Sequence, residues 1–245
     1  MKALISSVKN CALQCNRASC PRSFLDATVS DPVCQKICAD MCKLTPERLG
    51  CSGAEDPYCF EGPLNRITIT GENSEDYRLV LFFIKKGTVM PLHDHPNMSV
   101  FFRLVFGELA YHGYDKVDQK FKYNDFSSDE YAQFLEEKKV IRARRTNQMK
   151  VTAGNMMYVR PSQNNMHTFT AQENSCFFDI CLPNYTMSSH DRKITYFKDI
   201  GAAAEPLTSG QPTPAGLTDI EYYTTPPVMP VNFDLRDISY RGEMN

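Results

Sequence analysis

The sequence has no excess of charge of either sign: 27 Lys and Arg stand against 29 Asp and Glu, a formal net charge of −2. No basic face is therefore expected to hold nucleic acid or an anionic membrane surface. No stretch approaches the ~20 apolar residues that cross a bilayer. The first thirty residues lack the basic start, apolar core and small-residue cleavage site of a secretory signal. A soluble, cytoplasmic, monomeric protein is expected, with the nucleus as an alternative location. There is no internal repeat, and no CxxC pair that would suggest a zinc knuckle.

Cysteine, by contrast, is abundant: ten in all, eight of them before residue 60. Cys34, Cys38 and Cys42 recur every four residues, the stripe of one helix face. Free cysteine packs as a small hydrophobe, and without a secretory signal thiols in helix packing are the favoured reading. The alternative pairs Cys11 and Cys15 with Cys34 and Cys38 across a helical hairpin, as two bridges. Ser30, Asp31 and Pro32 supply a helix start with Asp31 as N-cap, Leu44-Thr45-Pro46 ends the helix, and a further helical turn begins at Thr45. Residues 1–49 thus read as a helical arm packing on the rest, and Gly50 to Gly62 as loop.

Beyond Gly62 the pattern changes to period two. Asn65–Thr70, Tyr77–Lys85, Ser99–Phe106, Glu108–Tyr114, Met149–Thr152, Met156–Arg160, His167–Ala171 and Cys176–Leu182 are short, rich in β-branched and aromatic residues, and separated by turn residues. Many short strands without helical periods between them predict a sandwich or barrel. The charged stretch 117–139 reads as a partly helical, surface-exposed insertion. Residues 201–230, rich in Pro, Gly, Thr and Ala, read as a long irregular loop over one end of the barrel.

Within this frame His93-Asp94-His95 puts two imidazoles on one face of a strand. Gly87 lies six positions before His93 and Gly107 twelve after His95, a spacing that resembles the first metal motif of a cupin barrel. Most such motifs carry a glutamate four or five residues after the second histidine, but Ser99 and Val100 stand there. Gly154, Pro161 and His167 fit the second motif, so the expected ligands are His93, His95 and His167. Imidazole suits iron, copper, zinc and nickel, and the ligand set alone does not choose among them. Three neutral ligands leave a divalent ion with its full charge, which favours an anionic co-ligand such as a thiolate. Asp94 points away from its neighbouring histidines and reads as a bracing carboxylate. His112 and His190 lack a partner at ligand spacing, and Met156, Met157 and Met166 read as core.

The run Leu92-His93-Asp94-His95-Pro96-Asn97-Met98, continued by Arg103 to Leu109, closely resembles a segment of the plant cysteine oxidase and cysteamine (2-aminoethanethiol) dioxygenase family. Asn165 to Ala171, Phe178-Asp179-Ile180 and Leu182 to Tyr185 resemble the family run that holds its third metal ligand, an acidic residue and a tyrosine. Weaker likenesses extend to Thr45–Gly50, Arg192–Phe197 and Ser239–Gly242. The resemblance implies an all-β cupin barrel, a double-stranded β-helix of jelly-roll type, with N-terminal helices. Residues 50–245 would form that domain. It implies Fe(2+) on His93, His95 and His167, with Asp179 and Tyr185 as catalytic residues near the substrate.

It also implies an enzyme that adds O2 to a thiol, either an N-terminal cysteine of a protein or peptide, with a role in oxygen sensing and protein degradation, or cysteamine, giving hypotaurine. A metal-binding cupin without catalysis is the reading from another class. Free cysteine is the poorer substrate, since its carboxylate asks for a dedicated arginine that no matched segment clearly offers. Asn97 stands where the family has glycine, which alters the turn and leaves the ligands. Ile194 stands where some relatives carry a cysteine that cross-links to tyrosine, so that link cannot form here. Because Lys2 follows Met1, the chain is not expected to be its own substrate.

Overall fold

The computed structural model describes residues 1–17, 32–122, 126–137, 139–186, 192–201, 216–223 and 234–242. Among them are twelve strands: β1 (Leu64–Thr70), β2 (Arg78–Ile84), β3 (Val89–Asp94), β4 (Ser99–Phe106), β5 (Glu108–Lys116), β6 (Val140–Thr152), β7 (Met156–Val159), β8 (Met166–Ala171), β9 (Ser175–Leu182), β10 (Phe197–Gly201), β11 (Leu217–Tyr222) and β12 (Leu235–Asp237). They pair into two six-stranded sheets, ordered β12-β1-β2-β9-β4-β7 and β10-β11-β6-β5-β8-β3. Apart from the parallel β1–β12 pair, neighbouring strands run antiparallel. This is an all-β cupin barrel, the jelly-roll answer to unpaired sheet edges.

Strand alternation sorts the side chains into three apolar layers. Phe102, Leu104 and Phe177 of the first sheet meet Leu109, Tyr111 and Phe169 of the second inside the barrel. The outer face of the first sheet, with Leu79, Leu81, Phe83, Phe178 and Ile180, packs against Leu4 and Val8 of α1 (Lys2–Arg17) and Ile37 and Met41 of α2 (Pro32–Cys42). Burying one such side chain contributes roughly 1.5–3 kcal/mol, so the helical arm is a layer of the fold and not an appendage. Cys11 and Cys34 are buried in this layer, Cys38 is half-buried and Cys42 exposed. The side chains of Cys15 and Cys20, and the Asp31 cap, lie outside the described residues. A 3-10 turn at Glu47–Leu49 comes next, ended by Gly50 at φ 78°. A side chain at Gly50 would collide with the backbone of Arg241 and Gly242, so two of the weaker family-like segments, Thr45–Gly50 and Ser239–Gly242, touch one another.

Three expectations are corrected. The 117–139 insertion is not simply exposed: its helix, here α4 (Ser128–Glu137) after the short α3 (Gln119–Lys122), buries Phe134 to 7 % exposure with Tyr131 and Leu135 beside it. That i, i+3, i+4 stripe covers the outer face of the second sheet at Ile141, Ile220 and Tyr222. Strand β6 begins at Val140, not Met149, because its charged residues are matched across the ladder: Arg142 with Asp219, and Arg145 with Asp199. Finally, the expected loop 201–230 contains β11, which pairs with both β10 and β6. Its remainder, 202–215 and 224–233, lies outside the described residues. No helix among the described residues is long and apolar enough to cross a membrane.

Candidate metal centre

Strand β3 is the edge of its sheet, which is where a proline can sit without costing a ladder hydrogen bond. Its pairing with β8 runs Val89 to Thr170 and Met90 to Phe169, then resumes at His93 opposite His167. Pro91 and Leu92 together therefore face only Thr168: a β-bulge, which bends the strand and re-aims the residues after it. Met90 and His93 consequently both turn toward the barrel interior, while Leu92 packs outward with Met166 and Tyr114. The Pro91 carbonyl accepts from His93 Nδ1 at 2.8 Å.

His95 stands just past the strand end and opens a turn in which Met98 N–H donates to the His95 carbonyl at 3.2 Å. Proline at the second position and Asn97 at φ 53° at the third give the pattern of a type II turn. Asparagine tolerates this left-handed conformation, which is why it can replace glycine here. The His95 ring is fixed from the other side by Asn165, whose carbonyl accepts from His95 N–H at 2.9 Å and from Nδ1 at 3.2 Å. The Asn165 side chain donates back to the His95 carbonyl at 2.6 Å. Asn165 is 1 % exposed; it stood in the matched run, but nothing in its spacing marked it as the residue that holds a ligand.

The structure brings the three expected histidines together. Their ring centroids are 4.9, 4.8 and 4.6 Å apart, and one nitrogen from each falls within 4.8 Å of the others. All three are buried. Burial lowers the pKa of His93, and it lowers those of His95 and His167 further, with His93 adding to the shift of His95, and His95 and His93 to that of His167. Neutral imidazole is the form that binds a metal. With Nδ1 of His93 and His95 donating to backbone carbonyls, their Nε2 atoms are left to converge, as second-partner bonding of ligand histidines requires. His167 Nδ1 is buried without a hydrogen-bond partner. The donor set therefore fits a divalent metal ion, with no carboxylate in the cluster.

Asp94 points to the other side, as alternation requires. It is fully buried, its Oδ2 2.7 Å from Lys116 Nζ, and Thr195 N–H donates to its Oδ1 at 2.9 Å. Lys116 was not singled out in the sequence, because a lysine among polar strand residues gives no sign of burial. The Tyr185 hydroxyl donates to the Asp94 carbonyl at 2.8 Å, with its ring 5.8 Å from that of His95. His112 lies on β5 opposite Thr168, half-buried and outside the cluster, and His190 lies outside the described residues. Met166 packs in the outer core, and Met156 and Met157 pack against the outer and inner cores.

The histidines open onto a cavity of about 430 Å³, whose wall includes Asp179, Tyr185 and Tyr196. That volume lies within the ~300–1,000 Å³ of small-molecule sites. Arg66 and Arg78 also line it; both lie on β1 and β2, outside the segments that carry the family resemblance. Asp179, on β9, is 7 % exposed and its Oδ1 has no hydrogen-bond partner. Burial alone raises its pKa well above the usual carboxylate range.

A group whose pKa rises on folding stabilises the fold fully below its unfolded pKa and loses that contribution as the pH rises through the folded value. Metal-free protein should therefore lose stability from about pH 4 upward through Asp179, by at most ~1.4 kcal/mol per pH unit. The Asp179→Asn variant should not, so the gap between their melting temperatures is expected to widen from pH 5 to pH 8. Parallel curves would mean that the carboxylate finds a partner in solution.

A profile of the PCO_ADO family matches residues 61–244. A curated protein of Dictyostelium discoideum described as a probable 2-aminoethanethiol dioxygenase is 25 % identical over 126 residues, 51 % of this chain and 52 % of that one. The chain thus spans about half the length of this curated relative. Among solved structures, KdgF from Halomonas sp. aligns with a TM-score of 0.34 at 13 % identity, covering 52 % of this chain and 84 % of that one. An RmlC-like cupin from Desulfovibrio desulfuricans aligns at 0.34 and 14 %, covering 54 % and 93 %.

Proposed function

This chain belongs to the plant cysteine oxidase and cysteamine dioxygenase family, and from that premise we propose that it is an iron(II) thiol dioxygenase acting on an N-terminal cysteine of a protein or peptide, in an oxygen-sensing role. The observation that carries the reading is a carboxylate-free set of three neutral histidines opening onto a cavity with Asp179 in its wall. His93, His95 and His167 would hold the iron, which when bound supplies the electrons that let a spin-paired thiol react with dioxygen. Both oxygen atoms are transferred to sulfur, which is oxidised from thiol to sulfinic acid as dioxygen is reduced, so no further reductant is consumed.

The residues of the chain bind and orient. The Asp179 carboxyl, whose pKa burial holds well above the usual carboxylate range, would receive the substrate's ammonium group as a charge partner, which favours its ionised form. Tyr185 acts as a positioning residue, since its hydroxyl is spent on the Asp94 carbonyl and its ring closes the cavity beside His95. A peptide is favoured over cysteamine because the cavity runs out to Glu72, which is exposed, and so leaves a way out for a continuing chain. Cysteamine remains the second reading, on the name of the Dictyostelium relative.

Anaerobically iron-loaded protein, mixed with oxygen and a Cys-initiated peptide, is expected to consume oxygen and to add two oxygen atoms to the peptide, as read by mass spectrometry. Turnover of cysteamine with the peptide untouched would select the second reading. Turnover of neither would leave a metal-binding cupin without this chemistry.

A further inference from the structure

The β2–β9 ladder places Arg78 directly opposite Cys181 and Val80 opposite Asp179. Residues directly opposite share a face, and so do residues two apart along a strand. Arg78, Cys181 and Asp179 therefore all look into the barrel, and all three line the cavity that the histidines open onto. The Arg78 and Asp179 rows are two residues apart, about 7 Å along the strand, close to the length of two extended residues.

The charges along this wall are unequal in their partners. Arg66 is held by Asp237 through two hydrogen bonds, at 2.7 and 2.8 Å. Asp179 is buried, with its Oδ1 lacking a hydrogen-bond partner. Glu72 is exposed at the rim and, among the described residues, makes no ion pair with Arg78. Arg78 donates to Thr68 Oγ1 at 2.6 Å, and its Nε is buried with no partner at all. A guanidinium has five donors in a planar fork that fits a carboxylate through two parallel bonds. Arg78 lines the cavity and, among the described residues, makes no ion pair with a carboxylate.

We propose that Arg78 is a specificity-determining residue that receives a carboxylate carried by the thiol substrate. The inference rests on the thiol dioxygenase reading and adds to it the kind of substrate preferred. The carboxylate has two possible sources: an acidic side chain in the residue after the cysteine, or the terminal carboxylate of a very short substrate. Arginine cannot be replaced by lysine without losing the two-point contact.

Binding and turnover in the Arg78→Gln and Arg78→Lys variants separate these. The ligands are cysteamine, Cys-Gly-amide, Cys-Asp-amide and Cys-Gly with a free terminus, measured with iron-loaded protein by anaerobic calorimetry and then by kcat/KM in oxygen. The unsubstituted protein is expected to prefer one of the two carboxylate-bearing ligands by about tenfold or more, the scale of one charge-assisted hydrogen bond. Arg78→Gln should abolish that preference, while cysteamine and Cys-Gly-amide change by less than about twofold. Arg78→Lys should restore only part of it. Which carboxylate ligand loses affinity identifies the source. Equal losses on all four ligands with a lowered melting temperature, or an undiminished preference in Arg78→Gln, would overturn the assignment. If no thiol is oxidised even by the unsubstituted protein, the dioxygenase reading fails, and the calorimetric preference still decides the role of Arg78 separately.

Discussion

Replacing His167 with alanine is expected to strip the protein of its metal and of its activity together. His167 faces His93 across the β3–β8 ladder, and its ring is 4.6 Å from that of His95, so it completes a three-point cluster to which no carboxylate contributes. Loss of residues that merely orient metal ligands costs about 10–100-fold in affinity; loss of one ligand in three is expected to exceed that. The variant should fold, because a buried neutral imidazole whose Nδ1 lacks a partner contributes little beyond packing. Metal content after dialysis and oxygen uptake on the same sample give the comparison. Full iron occupancy in His167→Ala would refute the three-ligand assignment, and iron loss with activity intact would refute the role of the metal in the reaction.

The largest effect on stability is expected at Asp94. The Asp94 and Lys116 side chains are 0 % and 1 % exposed and 2.7 Å apart. A buried pair contributes little relative to well-packed apolar residues, but removing one partner strands the other charge at a cost of about 3–5 kcal/mol. Asp94→Ala takes from Lys116 its buried carboxylate and also orphans the Thr195 N–H, whereas Lys116→Met removes only the cation from a carboxylate that keeps that N–H. Asp94→Ala should therefore be the more damaging, and denaturant midpoints give the order. Joint replacement of the pair should recover part of the loss. A cost below about 1 kcal/mol for Asp94→Ala, the level of an exposed pair, would show that water reaches the site.

Much of this was legible in the chain itself. Seven of the expected strands correspond closely to observed ones because they are short runs rich in β-branched and aromatic residues set between turns, the eighth marked only the end of β6, and the three clustered histidines stood out by spacing and by the match of their flanks. What escaped lies where the local pattern is silent. Strand β6 has long charged stretches whose partners, Asp219 and Asp199, are 77 and 54 residues away. The burial of Phe134 depends on a face of β6 and β11 that cannot be recognised before those strands are. Lys116, Asn165 and Arg78 owe their importance to neighbours across the sheet, and a single polar residue on a strand carries no mark of which side will be dry.

The bulge at Pro91–Leu92 has a consequence for which changes in length this barrel can absorb. Met90 and His93 share the inner face although an odd number of positions separates them, because the extra residue shifts the phase of the strand by one step. Ordinary alternation would have sent one of them outward. Deleting Leu92 alone would leave Pro91 opposite Thr168 and keep Met90 and His93 on the inner face, at the cost of the bend and of the packing of Leu92 with Met166 and Tyr114. Deleting or adding residues in the turns at 71–77 or 172–174 leaves that phase untouched. Drift in length is thus open to the loops and, by a single residue, to one irregular step on an edge strand that keeps two halves of the same strand in agreement about which way is in.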